Sequence, residues 1–123
     1  MTPARFQADL LAVPKAVPEL RAAVRGHFGG PCPDVQLCVS ELVSNVIRHV
    51  GEGAPIRVRV SGGAADGCIR VQVTDPGPRA LPVLQYATAT DESGRGLALL
   101  DAVALRWGVE QGGDWKTVWC ELE

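Results

Sequence analysis

Residues 34–50, DVQLCVSELVSNVIRHV, constrain the fold more than any other stretch of the chain. At about 100° per residue, Val35, Val39, Leu42, Val43, Val46 and Val50 share one side of a helix. That apolar side is wide enough to seat the helix on a sheet or on a second helix. Glu41, Asn45 and His49 follow at i, i+4 and i+8, so successive turns stack them on a stripe flanking the apolar side. A carboxylate, a carboxamide and an imidazole thus stand at the border of a core. Such a stripe is most often the solvated flank of an amphipathic helix. The segment from Asp75 onward supplies the reason to read it differently.

The chain has 123 residues, which suits one domain, 1–123, around one core. It is 46% hydrophobic and 21% charged with a formal net charge of -2, the profile of an ordinary soluble protein. There is no basic patch and no run of like charge, so nucleic acid is not an expected partner. No apolar run approaches the roughly 20 residues of a membrane span. The first ten residues, MTPARFQADL, lack a signal-peptide core, so a cytoplasmic protein is expected. Cys32, Cys38, Cys68 and Cys120 form no CxxC pair, and His27 and His49 are not at zinc-finger spacing. Four reduced thiols, some buried as small hydrophobes, are the expectation for that compartment.

Residues 5–13 alternate weakly and read as a first, edge strand. Leu20, Val24 and Phe28 place a helix over residues 17–28, ended by Gly29 and Gly30. Asp34 is positioned to cap the central helix, which stops at Gly51. Ile56, Val58 and Val60 alternate with Arg57 and Arg59 in a half-buried strand. A Gly- and Ala-rich turn leads to a second strand over residues 68–74, broken at Asp75-Pro76-Gly77-Pro78. Residues 79–93 are polar and irregular, and Gly94-Arg95-Gly96 opens a third helix over residues 97–105. Two strands, 107–111 and 115–122, meet at Gly112-Gly113-Asp114. Strands joined by short turns pair antiparallel, and helices with one apolar stripe each lie together on one sheet face. The expected fold is a two-layer α+β sandwich with a mixed, mostly antiparallel sheet and its other face solvated or covered by a partner.

ELVSN-x-x-x-H on a helix, a strand ending in D-x-G, a loop, G-x-G-L opening a helix and K-T-V-W in the last strand occur here in that order. This set resembles the ATP-binding fold shared by gyrase, histidine kinases, the heat-shock chaperone of ninety kilodaltons and the mismatch-repair ATPases. Within that superfamily it is most similar to small bacterial anti-sigma factors that are serine/threonine protein kinases. The resemblance covers nearly the whole chain, and the order and spacing of the motifs carry it more than any one motif does.

The resemblance implies ATP or ADP with Mg²⁺ as cofactors, and a role for each matching residue. Asn45 would be the Mg²⁺ ligand; one protein oxygen can suffice, because Mg²⁺ keeps waters and bridges phosphates. Glu41, one turn earlier, would be the catalytic general base or hold a metal-bound water. Asp75 would accept a hydrogen bond from the adenine amino group, and Gly77 would let the backbone approach the base. Gly94, Arg95 and Gly96, with Leu97 behind them, would present N–H groups to the phosphates at a helix N-terminus. Thr117 would back the adenine pocket, and His49 would border the nucleotide.

Two departures from the family pattern stand out. D-x-G-x-G reads Asp75-Pro76-Gly77-Pro78-Arg79, without the second glycine, and the intervening segment contains no lysine to reach a γ-phosphate. No phosphoacceptor-histidine helix pair precedes the domain, so a complete sensor histidine kinase is not expected. Two function classes follow. One is an ATP-dependent serine/threonine kinase of an anti-anti-sigma partner that sequesters a sigma factor; kinases of this type are often homodimers. The other is a non-catalytic nucleotide-binding regulator that controls a protein partner through its lid.

Overall fold

The computed structural model describes residues 5–30, 32–63, 68–76 and 102–122. The elements run β1 (Phe6–Leu11), α1 (Ala16–Phe28), α2 (Pro33–His49), β2 (Pro55–Gly63), β3 (Cys68–Asp75), β4 (Arg106–Gln111) and β5 (Lys116–Leu122). The five strands form one sheet in the order β1-β2-β3-β5-β4, and every pairing is antiparallel. No parallel pair is present among the described residues, so the expected mixed sheet is here wholly antiparallel.

The helix ends follow from local chemistry. Gly29 takes φ 79°, a left-handed conformation that costs glycine little, and its N–H closes the end of α1. Gly51, at φ 139°, bonds back to the Val46 carbonyl just beyond α2. The N-cap of α2 is Cys32 with Pro33 in the first turn, not Asp34, which lies one turn-position inside. Pro33 stands at the first helical position, where an N–H would have no partner within the helix, and its fixed φ suits a helix start. Asp34 still favours the helix, as an acidic residue at the positive end of the dipole.

Alternation on the strands separates the two sheet faces. Val58, Val60, Val71, Val73, Val118 and Cys120 are all buried and face the helices, where they meet Val35, Val39, Leu42, Val43 and Val46 of α2 and Leu20 and Val24 of α1. Burying a Val or Leu in this way contributes roughly 1.5–3 kcal/mol relative to leaving it exposed. Helix α2 packs on β3 and, less extensively, on β5, with α1 beside it. The two helices are also joined by polar groups. Arg21 donates to the Gln36 carbonyl and to Ser40 Oγ, at 3.2 and 2.7 Å, and Gln36 donates back to the Arg21 carbonyl at 3.1 Å.

The opposite face is a polar lattice. Arg57 bridges Asp9 at 2.7 Å, and that hydrogen bond holds the Asp9 carboxyl below its usual range. Arg70 donates to Gln72 and Glu121 and stacks 4.2 Å above the Trp119 ring. Gly108 pairs with Trp119 across β4 and β5. A Cβ at Gly108 would stand 2.9 Å from the Trp119 ring, so Gly108→Ala must push Trp119 out from beneath Arg70. The expected cost is about 1–3 kcal/mol, typical of overpacking; urea unfolding of the variant checks it, and an unchanged midpoint would refute the close contact.

No disulfide joins any of the four cysteines. Cys38 and Cys120 are fully buried, and the Cys120 thiol is pushed above its ordinary range, first by its hydrogen bond with Cys38 and then by burial. Both act as small core residues. No helix among the described residues is long and apolar enough to cross a membrane.

Candidate functional site

Helix α2 has two flanks. Gln36 and Ser40 lie on the flank that meets α1. At about 100° per residue, Glu41, Asn45 and His49 fall on the other flank, which also carries Cys38. Asn45 is only 5% exposed, and its amide nitrogen Nδ2 has no hydrogen-bond partner among the described residues. Glu41 is half-buried one turn earlier. His49 is half-buried in the last turn, where the helix dipole favours a cation.

Asp75 closes β3 and is paired in register with Lys116, the first residue of β5. Both side chains belong to the helix-facing set, in step with Val73 and Val118. They are almost completely buried, at 0% and 2% exposure, and Lys116 Nζ lies 3.4 Å from Asp75 Oδ2. The ammonium is pulled below the ordinary lysine pKa by burial, against the opposing charge and hydrogen bond of Asp75. The apolar rows of the inner face therefore end in one buried acid–base pair at the rim of the sheet.

Thr117 faces away from the helices. It is paired with Thr74, and the two hydroxyls are 2.7 Å apart on the outer face, in step with Trp119 and Glu121. A side chain there cannot back a pocket on the helix side, because adjacent strand residues point to opposite faces. Lys116 takes the inward position instead. Parity could have found it: Lys116 lies two residues before Val118 and four before Cys120, the inward positions of the same strand. Gly77, Gly94, Arg95, Gly96 and Leu97 lie outside the described residues, as does most of the expected third helix. Of its expected span residues 102–105 are described: Ala102 and Val103 are helical, and Ala104 and Leu105 are not, so the helical conformation ends two residues earlier than expected.

An open groove at the edge of the sheet is lined by residues including Asp9, Ile56, Arg57, Thr74, Asp75 and Trp115, and no residue of α2 lines it. It shares Asp75 with the candidate site. Among the described residues no group of three or more His, Cys, Asp or Glu could hold a metal ion by itself. A lone buried carboxamide suits instead an ion that arrives with most of its coordination supplied by phosphates and water, as Mg²⁺ does.

A two-layer sandwich with an ELVSN helix over an antiparallel sheet, and a strand-end aspartate beside it, defines a class, and the comparison with known families agrees. The family model for the histidine kinase-like ATPase domain matches residues 6–120, and the chain belongs to that family. It is also similar to an uncharacterized protein of Streptomyces coelicolor, 55% identical over 84 residues, which cover 68% of this chain and 79% of that protein.

Proposed function

We propose that this domain binds Mg²⁺·ATP or ADP beside the Glu41–Asn45–His49 flank of α2 and acts as an anti-sigma-factor-like serine/threonine kinase of an anti-anti-sigma partner. The observation that carries the nucleotide reading is the match of residues 6–120 to the histidine kinase-like ATPase domain, with Asn45 buried on the flank of α2 that does not meet α1. Asn45 would hold the metal through its carbonyl oxygen. Asp75, at the sheet rim, accepts from the adenine amino group. By the family pattern, Gly94, Arg95, Gly96 and Leu97 would meet the phosphates, and Gly77 would give the base room. The bound metal supplies charge neutralisation on the phosphates. Glu41, one turn from Asn45, takes the proton of the attacking hydroxyl; a pure binder has less use for a carboxylate in that place.

A second reading, a non-catalytic regulator acting through its lid, is favoured by a specific feature. Arg79 stands where the family pattern has its second glycine, and two prolines flank Gly77.

Calorimetry tests the nucleotide reading. Wild-type protein binds ADP in the presence of Mg²⁺, and Asp75→Asn weakens that binding by about tenfold or more, as expected for a lost hydrogen bond to a charged group, with circular dichroism unchanged. Equal binding by Asp75→Asn and wild type would remove the adenine assignment. Phosphotransfer from radiolabelled ATP to anti-anti-sigma proteins of the same genome then decides between kinase and silent regulator.

A further inference from the structure

We infer that Lys116 is a positioning residue for base recognition: it holds the Asp75 carboxylate in place at the sheet rim as an acceptor for the purine's exocyclic amino group. The inference rests on the nucleotide reading above.

Four observations support it. The two residues are opposite each other in the β3–β5 register, so the backbone itself fixes their approach. Both are buried, and the contact is 3.4 Å. They occupy the inner face, on the side of the sheet where α2 carries its polar flank. Finally, the chain contains only two lysines against ten arginines, and one of the two is placed here, at 2% exposure.

A purely structural role explains the pair poorly. Taking two charges out of water costs more than such a contact usually returns, and apolar side chains of similar volume would join these strands at least as well. The charges are of use only to something that reads them. A carboxylate offers about four lone-pair sites, so a lysine does not exhaust its acceptor capacity. It accepts most strongly when ionised, however, and an apolar rim works against ionisation. A neighbouring ammonium offsets that burial. Lysine suits the position better than arginine because its charge is compact and its three donors rotate freely, whereas a guanidinium would tend to claim both carboxylate oxygens in a fork.

The test compares ADP with inosine diphosphate, which has an oxo group in place of the amino group. Wild type, Lys116→Met and Lys116→Arg are titrated with each nucleotide in Mg²⁺, and cooperative unfolding of each variant is confirmed. Wild type is expected to prefer ADP by roughly 10–100-fold, the range of one hydrogen bond to a charged group. Lys116→Met should lose most of that preference by weakening ADP while leaving inosine diphosphate nearly unchanged, and Lys116→Arg should restore part of it. Should Lys116→Met not unfold cooperatively, Lys116→Gln, which keeps a donor but no charge, makes the same comparison.

A Lys116→Met protein that keeps the wild-type preference would overturn the role of Lys116 alone. So would one that loses both nucleotides equally, since that is the mark of a structural residue. Wild-type protein that binds neither nucleotide would overturn the nucleotide reading itself, and the role of Lys116 with it.

Discussion

Glu41→Gln should lower any phosphotransfer or ATP hydrolysis by this protein by roughly 10²–10⁴-fold, the usual contribution of a positioned proton acceptor, while nucleotide affinity changes little. Glutamine keeps the shape and hydrogen-bonding capacity of the side chain and removes only its basicity. The contrast with Asn45→Ala is what makes the result specific. Asn45 is buried one turn further along the same flank of α2. Its loss removes the proposed metal ligand, so Mg²⁺-dependent nucleotide binding itself should weaken. Single-turnover kinetics and calorimetry on the two variants separate binding from chemistry. Absence of turnover in wild type with every partner tried, together with unchanged partner binding by Glu41→Gln, would favour the non-catalytic regulator.

Breaking the Asp75–Lys116 pair from one side should be far more damaging than removing it whole. Asp75→Asn removes the carboxylate that lies 3.4 Å from an ammonium at 2% exposure, and breaking a buried pair from one side costs about 3–5 kcal/mol. The double variant Asp75→Asn/Lys116→Met carries neither charge and should recover most of that stability, giving a large coupling energy in a double-mutant cycle from urea unfolding. Additive losses would show that the two side chains do not depend on each other.

The pH dependence of Asp75→Asn has a definite sign. In wild type the Lys116 pKa is already lowered from its ordinary 10.5 by burial, and Asp75 opposes that shift. Without Asp75 it falls further. A lysine titrating lower in the folded than in the unfolded state binds fewer protons when folded, so stability rises with pH from the lowered folded pKa up to 10.5. The deficit of Asp75→Asn should therefore shrink as the solution is made alkaline.

The polar outer face carries less energy than its number of contacts suggests. Arg57 and Asp9 are more than half exposed, and such pairs are weakened by water and salt. The lattice serves mainly to keep that face of the sheet wet. The exception is the Arg70–Trp119 stack, whose closeness makes Gly108 the only residue type that fits opposite the indole without displacement.

The sequence alone determined the type of every described element and the stripe on α2. Both are local properties, set by periods of 3.6 and 2 residues and by glycines placed where a chain must reverse. The pairing of β2 with β3 was legible too, because a short turn leaves antiparallel pairing as the only geometry within reach. The superfamily was legible in the order of its motifs. The tertiary structure alone decided that β5 inserts between β3 and β4, since that pairing joins strands far apart in the chain. It also decided which member of Lys116-Thr117 looks inward. In a strand a shift of one residue moves every side chain to the other face, and the register that fixes it is set by β3, more than 40 residues away. The motif K-T-V-W pointed at Thr117; the packing of Val118 and Cys120 into the core turned Thr117 outward and brought Lys116 to Asp75.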